Sequence, residues 1–272
     1  MPMDYKSSIA FIGGGNMAEA LAGGIAKARI VSAESIIVSD PLPERCNYLS
    51  RQHGVTTTVK NTQAALAGGT IFLAVKPQVL PEVLEEIAPS INTEQLVISI
   101  AAGITLDLLE KSLRGVPVIR TMPNTPALVG SGATVLSPGH NVHADMTHWA
   151  VELFQAVGSC HVLPEALLDA VTGLSGSGPA YIFRMAEALI EAGMSVGIPA
   201  EESEGLVKQT ILGAARLMIE TEKSPTELRE MVTSPGGTTM AGLGSMEEAG
   251  FVEIIVEAVM AATQRAKELG KG

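Results

Sequence analysis

The sequence predicts an α/β fold: an N-terminal Rossmann-type, doubly wound parallel sheet over residues 1–164, then a smaller all-helical domain over residues 165–272. Three observations carry that expectation. Through about residue 163, short and uniformly apolar runs alternate with helical stretches, the pattern of parallel strands covered on both faces by crossover helices. A glycine-rich turn of the form G-x-G-x-x-A follows the first run and opens a helix. After residue 164 the alternation stops, and the chain reads as helices broken by Gly197-Ile198-Pro199, Lys223-Ser224-Pro225 and Ser234-Pro235-Gly236-Gly237.

Taken in order, residues 8–12 (Ser-Ile-Ala-Phe-Ile) read as a buried strand and residues 17–27 as the Ala- and Gly-rich helix after it. Residues 35–38 form a second strand, and a helix over residues 43–52 stops before Gly54. Residues 70–75, 96–100 and 116–119 repeat the strand pattern with helices between them. Pro117 places its strand near a sheet edge or gives it an irregular start. The second half reads as helices over residues 165–197, 200–222 and 225–231, another from Thr238, and a last one over residues 252–269. In residues 251–264 apolar side chains outnumber polar ones, and Ala258, Ala261 and Ala262 allow close approach. A helix apolar all round must be buried, and a domain of about a hundred residues has little interior to offer. Association into a homo-oligomer satisfies that demand.

Composition removes several classes of function. The 272 residues carry 18 Lys or Arg against 29 Asp or Glu, and 18 − 29 = −11 leaves a net charge that repels polyanions. Nucleic-acid binding draws on clustered cations, so no nucleic-acid partner is expected. No stretch of 18 uncharged apolar residues occurs, so no membrane partner is expected either. The first six residues, Met-Pro-Met-Asp-Tyr-Lys, lack the apolar core of a secretory leader. Cys46 and Cys160 form no Cys-x-x-Cys pair, which suits a reduced, cytoplasmic setting. His140, His143 and His148 with Asp145 match no familiar zinc spacing, and no metal is expected.

Candidate binding residues gather at the ends of the predicted strands, where open α/β sheets bind ligands. Gly13, Gly14, Gly15, Asn16, Met17 and Ala18 form the first βα turn: Gly13 for the tight turn, Gly15 for close approach of a pyrophosphate, Ala18 for helix–strand packing. Free N–H groups and the positive end of the helix attract phosphates there. Ser39 and Asp40 end the second strand. Asp40 either binds the ribose diol of NAD or opens the Asp40-Pro41 turn, and Arg45 or Lys60 can offset its repulsion of a 2′-phosphate. Later strand ends carry Ala74, Val75, Lys76 and Pro77, and then Ser99-Ile100-Ala101-Ala102-Gly103. Residues 120–126 make a Pro-fixed polar loop. Small residues interrupt a helical stretch at Gly173-Leu174-Ser175-Gly176-Ser177-Gly178, at a cost of about 1 kcal/mol for each glycine. The run Thr233-Ser234-Pro235-Gly236-Gly237-Thr238-Thr239 leads into a helix: either a nest of donors for a carboxylate or a plain helix N-cap.

Taken together and in order, Phe11-Ile12-Gly13-Gly14-Gly15-Asn16-Met17, Ala74-Val75-Lys76-Pro77, Ser99-Ile100-Ala101-Ala102-Gly103, Met122-Pro123-Asn124-Thr125-Pro126, Leu174-Ser175-Gly176-Ser177-Gly178-Pro179-Ala180-Tyr181 and the 233–239 run resemble the pyrroline-5-carboxylate reductase family over nearly the whole chain. The resemblance implies a Rossmann domain and a helical dimerisation domain. It also implies reduction of L-1-pyrroline-5-carboxylate to L-proline with NADP(H) or NAD(H), in a dimer that assembles further as a pentamer of dimers. It further implies that Ser234, Gly236, Gly237, Thr238 and Thr239 cradle the substrate carboxylate, with the Thr239 hydroxyl at the imine nitrogen and Glu165 nearby. Asn61, Val75, Lys76 and Ala102 fall on cofactor-contact positions, and Met231 departs from relatives that place Asn there. A protonated cyclic imine is already an electrophile, so a missing His or Cys nucleophile does not weigh against this chemistry. Two alternatives stay open. One is another imine reductase or a hydroxy-acid dehydrogenase, which would need a proton shuttle; Lys208 is the only interior-helix lysine in the second half, and no His lies beyond His161. The other is a non-catalytic, dinucleotide-binding redox sensor.

Overall fold

The structure, a computed structural model, describes residues 4–270. Residues 1–3 of the N-terminal stretch read above and residues 271–272 of the expected helical domain lie outside it. An eight-stranded sheet runs in the order β3-β2-β1-β4-β5-β6-β7-β8. Its strands are β1 (Ile9–Ile12), β2 (Ile36–Ser39), β3 (Thr56–Thr58), β4 (Thr70–Leu73), β5 (Leu96–Ser99), β6 (Val118–Met122), β7 (Gly132–Pro138) and β8 (Gly158–Val162). Helices α1 (Asn16–Lys27), α2 (Pro43–His53), α3 (Asn61–Ala67), α4 (Leu80–Ile87), α5 (Leu106–Ser112) and α6 (Ala144–Gln155) connect them. All neighbouring strands are parallel except β6 and β7.

Successive residues of each strand feed opposite faces, as the two-residue period of a strand requires. Phe11, Phe72 and Ile98 join Trp149 and Phe154 on one face, while Ala10, Ile12, Ile71 and Leu73 join Leu80, Leu84 and Leu109 on the other. The Phe11 and Phe72 rings stack at 4.6 Å between centroids, and Phe154 meets Phe72 edge-on at 5.9 Å. The chain winds outward from β1 in both directions, so β1 and β4 flank a topological switch point. The register aligns Ile12 with Ser39 and with Leu73, and Leu73 with Ser99. Gly13, Asp40, Ala74 and Ile100 therefore leave the sheet side by side.

Several expectations need correction. β3, β7 and β8 are not among the strands that the sequence predicts. β3 is three threonines at a sheet edge, and β8, at the other edge, is half exposed, so neither is an apolar run. β7 runs antiparallel because residues 123–131 hold only a short 3₁₀ turn (Thr125–Val129) and Gly130 at φ +71°, too little chain for a parallel crossover. The strand expected at residues 116–119 starts at Val118 and is interior, not an edge. Pro117 stands just before it, and its carbonyl accepts the Val97 N–H at 2.9 Å.

The helix expected over residues 165–197 is four pieces: a 3₁₀ turn (Glu165–Leu167), α7 (Leu168–Val171), a π-helical turn (Thr172–Gly176) and α8 (Gly178–Ser195). There the hydroxyls of Thr172 and Ser175 donate back to the carbonyls of Leu168 and Val171, bonds that bend a helix. The remaining helices are α9 (Ala200–Glu220), α10 (Pro225–Met231), α11 (Thr238–Glu248) and α12 (Phe251–Leu269).

By packing, the chain divides into a first unit, reaching through Ser177 and including the segment from Ala261, and a second unit from Gly178 to Met260. Within the second unit α8 and α9 pack on each other, with Ser203 against the bare backbone of Gly193. Among the described residues of that unit only Ser203 and Leu228 are buried, whereas Ile219 is 83%, Val196 78% and Phe183 63% exposed. One copy of the chain thus leaves these apolar helices without a core.

The stacked phenylalanines tie α6 to the sheet centre. Phe72→Ala is expected to cost about 3–5 kcal/mol, read as a fall in the guanidinium midpoint at fixed protein concentration. A shift below that of a surface substitution would show that the ring carries no such weight.

Candidate active site

The first βα turn is shaped by contacts on both of its sides. Gly13 sits at φ +99°, and a Cβ there would lie 2.8 Å from the Ala74 carbonyl oxygen, so only glycine fits. The Gly13 N–H donates to Ser39 O at 2.9 Å, and the Gly14 N–H donates to Asp40 Oδ2 at 3.0 Å. The other Asp40 oxygen accepts the Leu42 N–H at 3.0 Å, so Asp40 makes the turn and also grips the glycine loop. Gly15 caps α1 in extended conformation, and a Cβ there would meet nothing within 4 Å. Among the described residues, the N–H groups of Gly15, Asn16 and Met17 have no acceptor. Open space before a helix N-terminus with free donors suits a pyrophosphate, and a side chain at Gly15 would fill it.

The other candidates of this unit surround that space or support it. Ser39 is fully buried, its hydroxyl 2.9 Å from Asn61 Oδ1 and 3.2 Å from Phe11 O, while the Asn61 amide donates to Glu86 at 2.8 Å. Ala74 donates to Ile12 O at 2.8 Å; Val75 follows, and Lys76 is an exposed cap before a 3₁₀ turn opened by Pro77. Ala102 is exposed in the turn after β5. Beside it Gly103, at φ +78°, leaves room for the end of α12: a Cβ there would lie 3.5 Å from the Leu269 carbonyl.

Two polar clusters have no local signal in the sequence, because their members lie far apart in the chain. Glu19, in the first turn of α1, accepts from Arg45 Nη2 at 2.5 Å, Tyr48 Oη at 3.0 Å and His53 Nε2 at 3.2 Å. Burial alone would raise its carboxyl, but the hydrogen bonds from His53, Arg45 and Tyr48 outweigh burial and hold it below the usual carboxylate range. The same contact pushes the Tyr48 hydroxyl upward. In the middle of β6, buried Arg120 donates to Glu165 at 2.9 Å and reaches Asp169 at 3.5 Å, and Glu165 also accepts the Leu106 N–H at 2.7 Å. Glu165 is thus an ion-pair partner inside the first unit. Asn124 bridges the Ala133 N–H (2.8 Å) and the Ser175 carbonyl (3.0 Å), fixing the π-helical turn. Its only signal in the sequence is its place in the polar, Pro-fixed loop over residues 120–126.

In the second unit the 233–239 run takes the form of an open loop. Gly236 lies at φ +69° with nothing near a Cβ, and the Gly237 N–H donates to Ser234 O at 3.0 Å. Gly237 is the N-cap of α11 and no side chain caps that end, so the Ser/Thr N-cap alternative is not what the loop adopts. The Thr233 hydroxyl donates to Arg229 O at 2.7 Å. Ser234, Thr238 and Thr239 are exposed, and among the described residues their hydroxyls have no partner. Met231, also exposed, accepts from Lys223 through its sulfur.

Comparison with known proteins gives a consistent result. The family model described as pyrroline-5-carboxylate reductase dimerisation matches residues 165–269, and that described as NADP oxidoreductase, coenzyme F420-dependent, matches residues 8–103. A pyrroline-5-carboxylate reductase from a Synechocystis species is 44% identical over 97% of this chain and 98% of that one. The solved structure of a pyrroline-5-carboxylate reductase from Coxiella burnetii superposes with a TM-score of 0.94 at 41% identity, covering 98% of this chain and all of that one. A pyrroline carboxylate reductase from Plasmodium falciparum, solved with NADP bound, has a TM-score of 0.86 at 32% identity over 98% and 100% of the two chains.

Because its folded-state pKa is depressed, Glu19 adds stability that is complete above the ordinary glutamate range (about 4.3) and disappears as pH falls through the lowered value. Glu19→Gln is expected to lose less stability than wild type on acidification, measured as urea midpoints at about pH 6 and about pH 4. Equal losses would remove Glu19 from the acid response.

Proposed function

Since the chain belongs to the pyrroline-5-carboxylate reductase family, we propose that it reduces L-1-pyrroline-5-carboxylate to L-proline, the last step of proline synthesis, using NADPH or NADH. One observation supports the reading above the rest: the exposed hydroxyls and helix-end N–H groups of the 233–239 loop are uncommitted, as a carboxylate and imine site requires. The open space at Gly15, with its unpaired donors, fits a dinucleotide pyrophosphate. The relative solved with NADP supports the same assignment.

When bound, the reduced nicotinamide supplies the hydride. The protein's own residues orient and polarise. The N–H groups of Gly15, Asn16 and Met17 hold the pyrophosphate, with Ala74, Val75, Lys76, Pro77 and Ala102 lining the strand ends beside it and Ser39 and Asn61 beneath. Ser234, Gly236, Gly237 and Thr238 receive the substrate carboxylate, and the Thr239 hydroxyl meets the imine nitrogen. The imine carbon, C2 of the pyrroline ring and C5 of the product proline, would take up the hydride, while the protonated nitrogen keeps its proton and becomes the ring amine. Asp40, whose carboxylate stands at the end of β2, disfavours a 2′-phosphate by charge without excluding it, so both cofactors are used. Glu165, a position near proline by the family resemblance, is held by its pair with Arg120.

The helices from residue 165 onward serve dimerisation, as the family model's description implies, and five dimers form the larger assembly. The exposed apolar faces of α8, α9 and α12 support this. No helix of the described residues is long and apolar enough to cross a membrane, in keeping with action in the cytoplasm.

The decisive assay follows NADPH and NADH consumption with pyrroline-5-carboxylate beside a panel of keto acids. Turnover confined to keto acids would overturn the reading. For Thr239→Val, loss of one hydrogen bond to a charged group removes about 1.5–3 kcal/mol, so kcat/KM should fall about 10- to 150-fold. Cofactor affinity should stay constant. A variant with wild-type kcat/KM would take Thr239 out of the chemistry.

A further inference from the structure

The peptide groups on either side of Gly14 are held from behind by two side chains of the β2–α2 segment. Asp40 Oδ2 accepts the Gly14 N–H at 3.0 Å, and Arg45 Nε donates to the Gly14 carbonyl at 2.5 Å. In a trans peptide the carbonyl and the following N–H point in opposite directions. Holding the Gly14 carbonyl toward Arg45 therefore turns the Gly15 N–H away from α2, and that N–H has no acceptor among the described residues. A cation on the carbonyl also polarises the peptide and strengthens the same N–H as a donor.

Arg45 is itself fixed. Glu19 takes Nη2 at 2.5 Å, and the Tyr48 ring lies 5.0 Å from the guanidinium carbon. Only 22% of the Arg45 side chain and 18% of the Glu19 side chain are exposed, unlike the loose i,i+4 pair of Lys111 with Asp107. His53 and Tyr48 occupy the other Glu19 oxygen, which keeps the carboxylate from turning away.

We infer that Arg45, anchored by Glu19, is a positioning residue for the cofactor pyrophosphate, acting through the Gly14–Gly15 peptide and not as a reader of the adenosine ribose. The inference rests on dinucleotide binding at this loop. A pyrophosphate is common to NADH, NADPH and ADP, whereas only NADPH carries a 2′-phosphate, so the two roles of Arg45 separate by ligand.

The experiment titrates the full-length protein with NADH, NADPH and ADP by calorimetry. In Arg45→Met all three dissociation constants should rise by a common factor of about ten, the worth of one charge-assisted hydrogen bond. Arg45→Lys, which keeps the charge but lacks the fork, should fall between. The KM for pyrroline-5-carboxylate at saturating cofactor should not move, as it would if the unit were merely loosened. Unchanged dissociation constants overturn the inference, and so does a loss confined to NADPH. Should the variants fail to fold, amide NMR of the wild-type protein decides: ADP should shift the Gly15 N–H strongly and the Asp40-bound Gly14 N–H little, and the reverse overturns the inference. Wild-type protein that binds none of the three ligands would overturn the dinucleotide reading and the inference with it.

Discussion

The close approach of Gly13 to the carbonyl of Ala74 sets the geometry of the nucleotide-binding end of the sheet. With a hydrogen in place of a side chain, the chain leaving β1 passes so close to β4 that a Cβ at Gly13 would lie only 2.8 Å from that oxygen. It can then turn into α1 without parting from β4, and Ala74 continues the parallel ladder by donating to Ile12. A larger residue would push the two exits apart and tilt the first turn of α1, whose N–H groups face the open space. The opposite side of the loop is held differently, by side chains: Asp40 and Arg45 bond the amide and the carbonyl of Gly14. Backbone packing on one flank and charged hydrogen bonds on the other leave the loop a single conformation.

How legible this was depended on burial. β1, β2, β4 and β5 are buried along their whole length and are apolar apart from Ser39, Thr70 and Ser99, so their apolar runs located them to within two residues. β3 and β8 flank the sheet, where polar residues are tolerated and the apolar signal vanishes. Helix boundaries followed turn chemistry: Gly54 in left-handed conformation ends α2, and Ser224 with Glu227 builds a capping box at the start of α10. The glycine loop was readable because its demands are local. The Glu19 cluster was not, since Arg45 is 26 positions away and meets Glu19 only after α1 and α2 pack. Asp40 had two local readings, a turn residue or a ligand contact. Each of its oxygens has a protein partner, which makes it a structural link whatever it meets besides.

Hydroxyl groups tell the two kinds of helix start apart. At α10 the Ser224 side chain is consumed by its own helix, accepting the Glu227 N–H and facing the Glu227 carboxylate. At α11 a glycine takes the cap position, and Ser234, Thr238 and Thr239 keep their hydrogen-bonding capacity. With glycine as the cap, doing without a capping side chain costs only about a few tenths of a kcal/mol, a small loss where the donors have another use. Thr233, just before the loop, spends its hydroxyl on Arg229 and so stiffens the entry to an otherwise open segment.

The bare apolar faces of α8, α9 and α12 also bear on how the molecule comes to exist. A freshly made chain can complete its sheet alone, because the aromatic core around Phe72 is local to the first unit. Its helices between Gly178 and Met260 bury only Ser203 and Leu228 in a single copy, so their core comes with association and their folding is a second-order process whose yield rises with concentration. On dilution the helical part would loosen first and the sheet last, and nucleotide binding would outlive turnover.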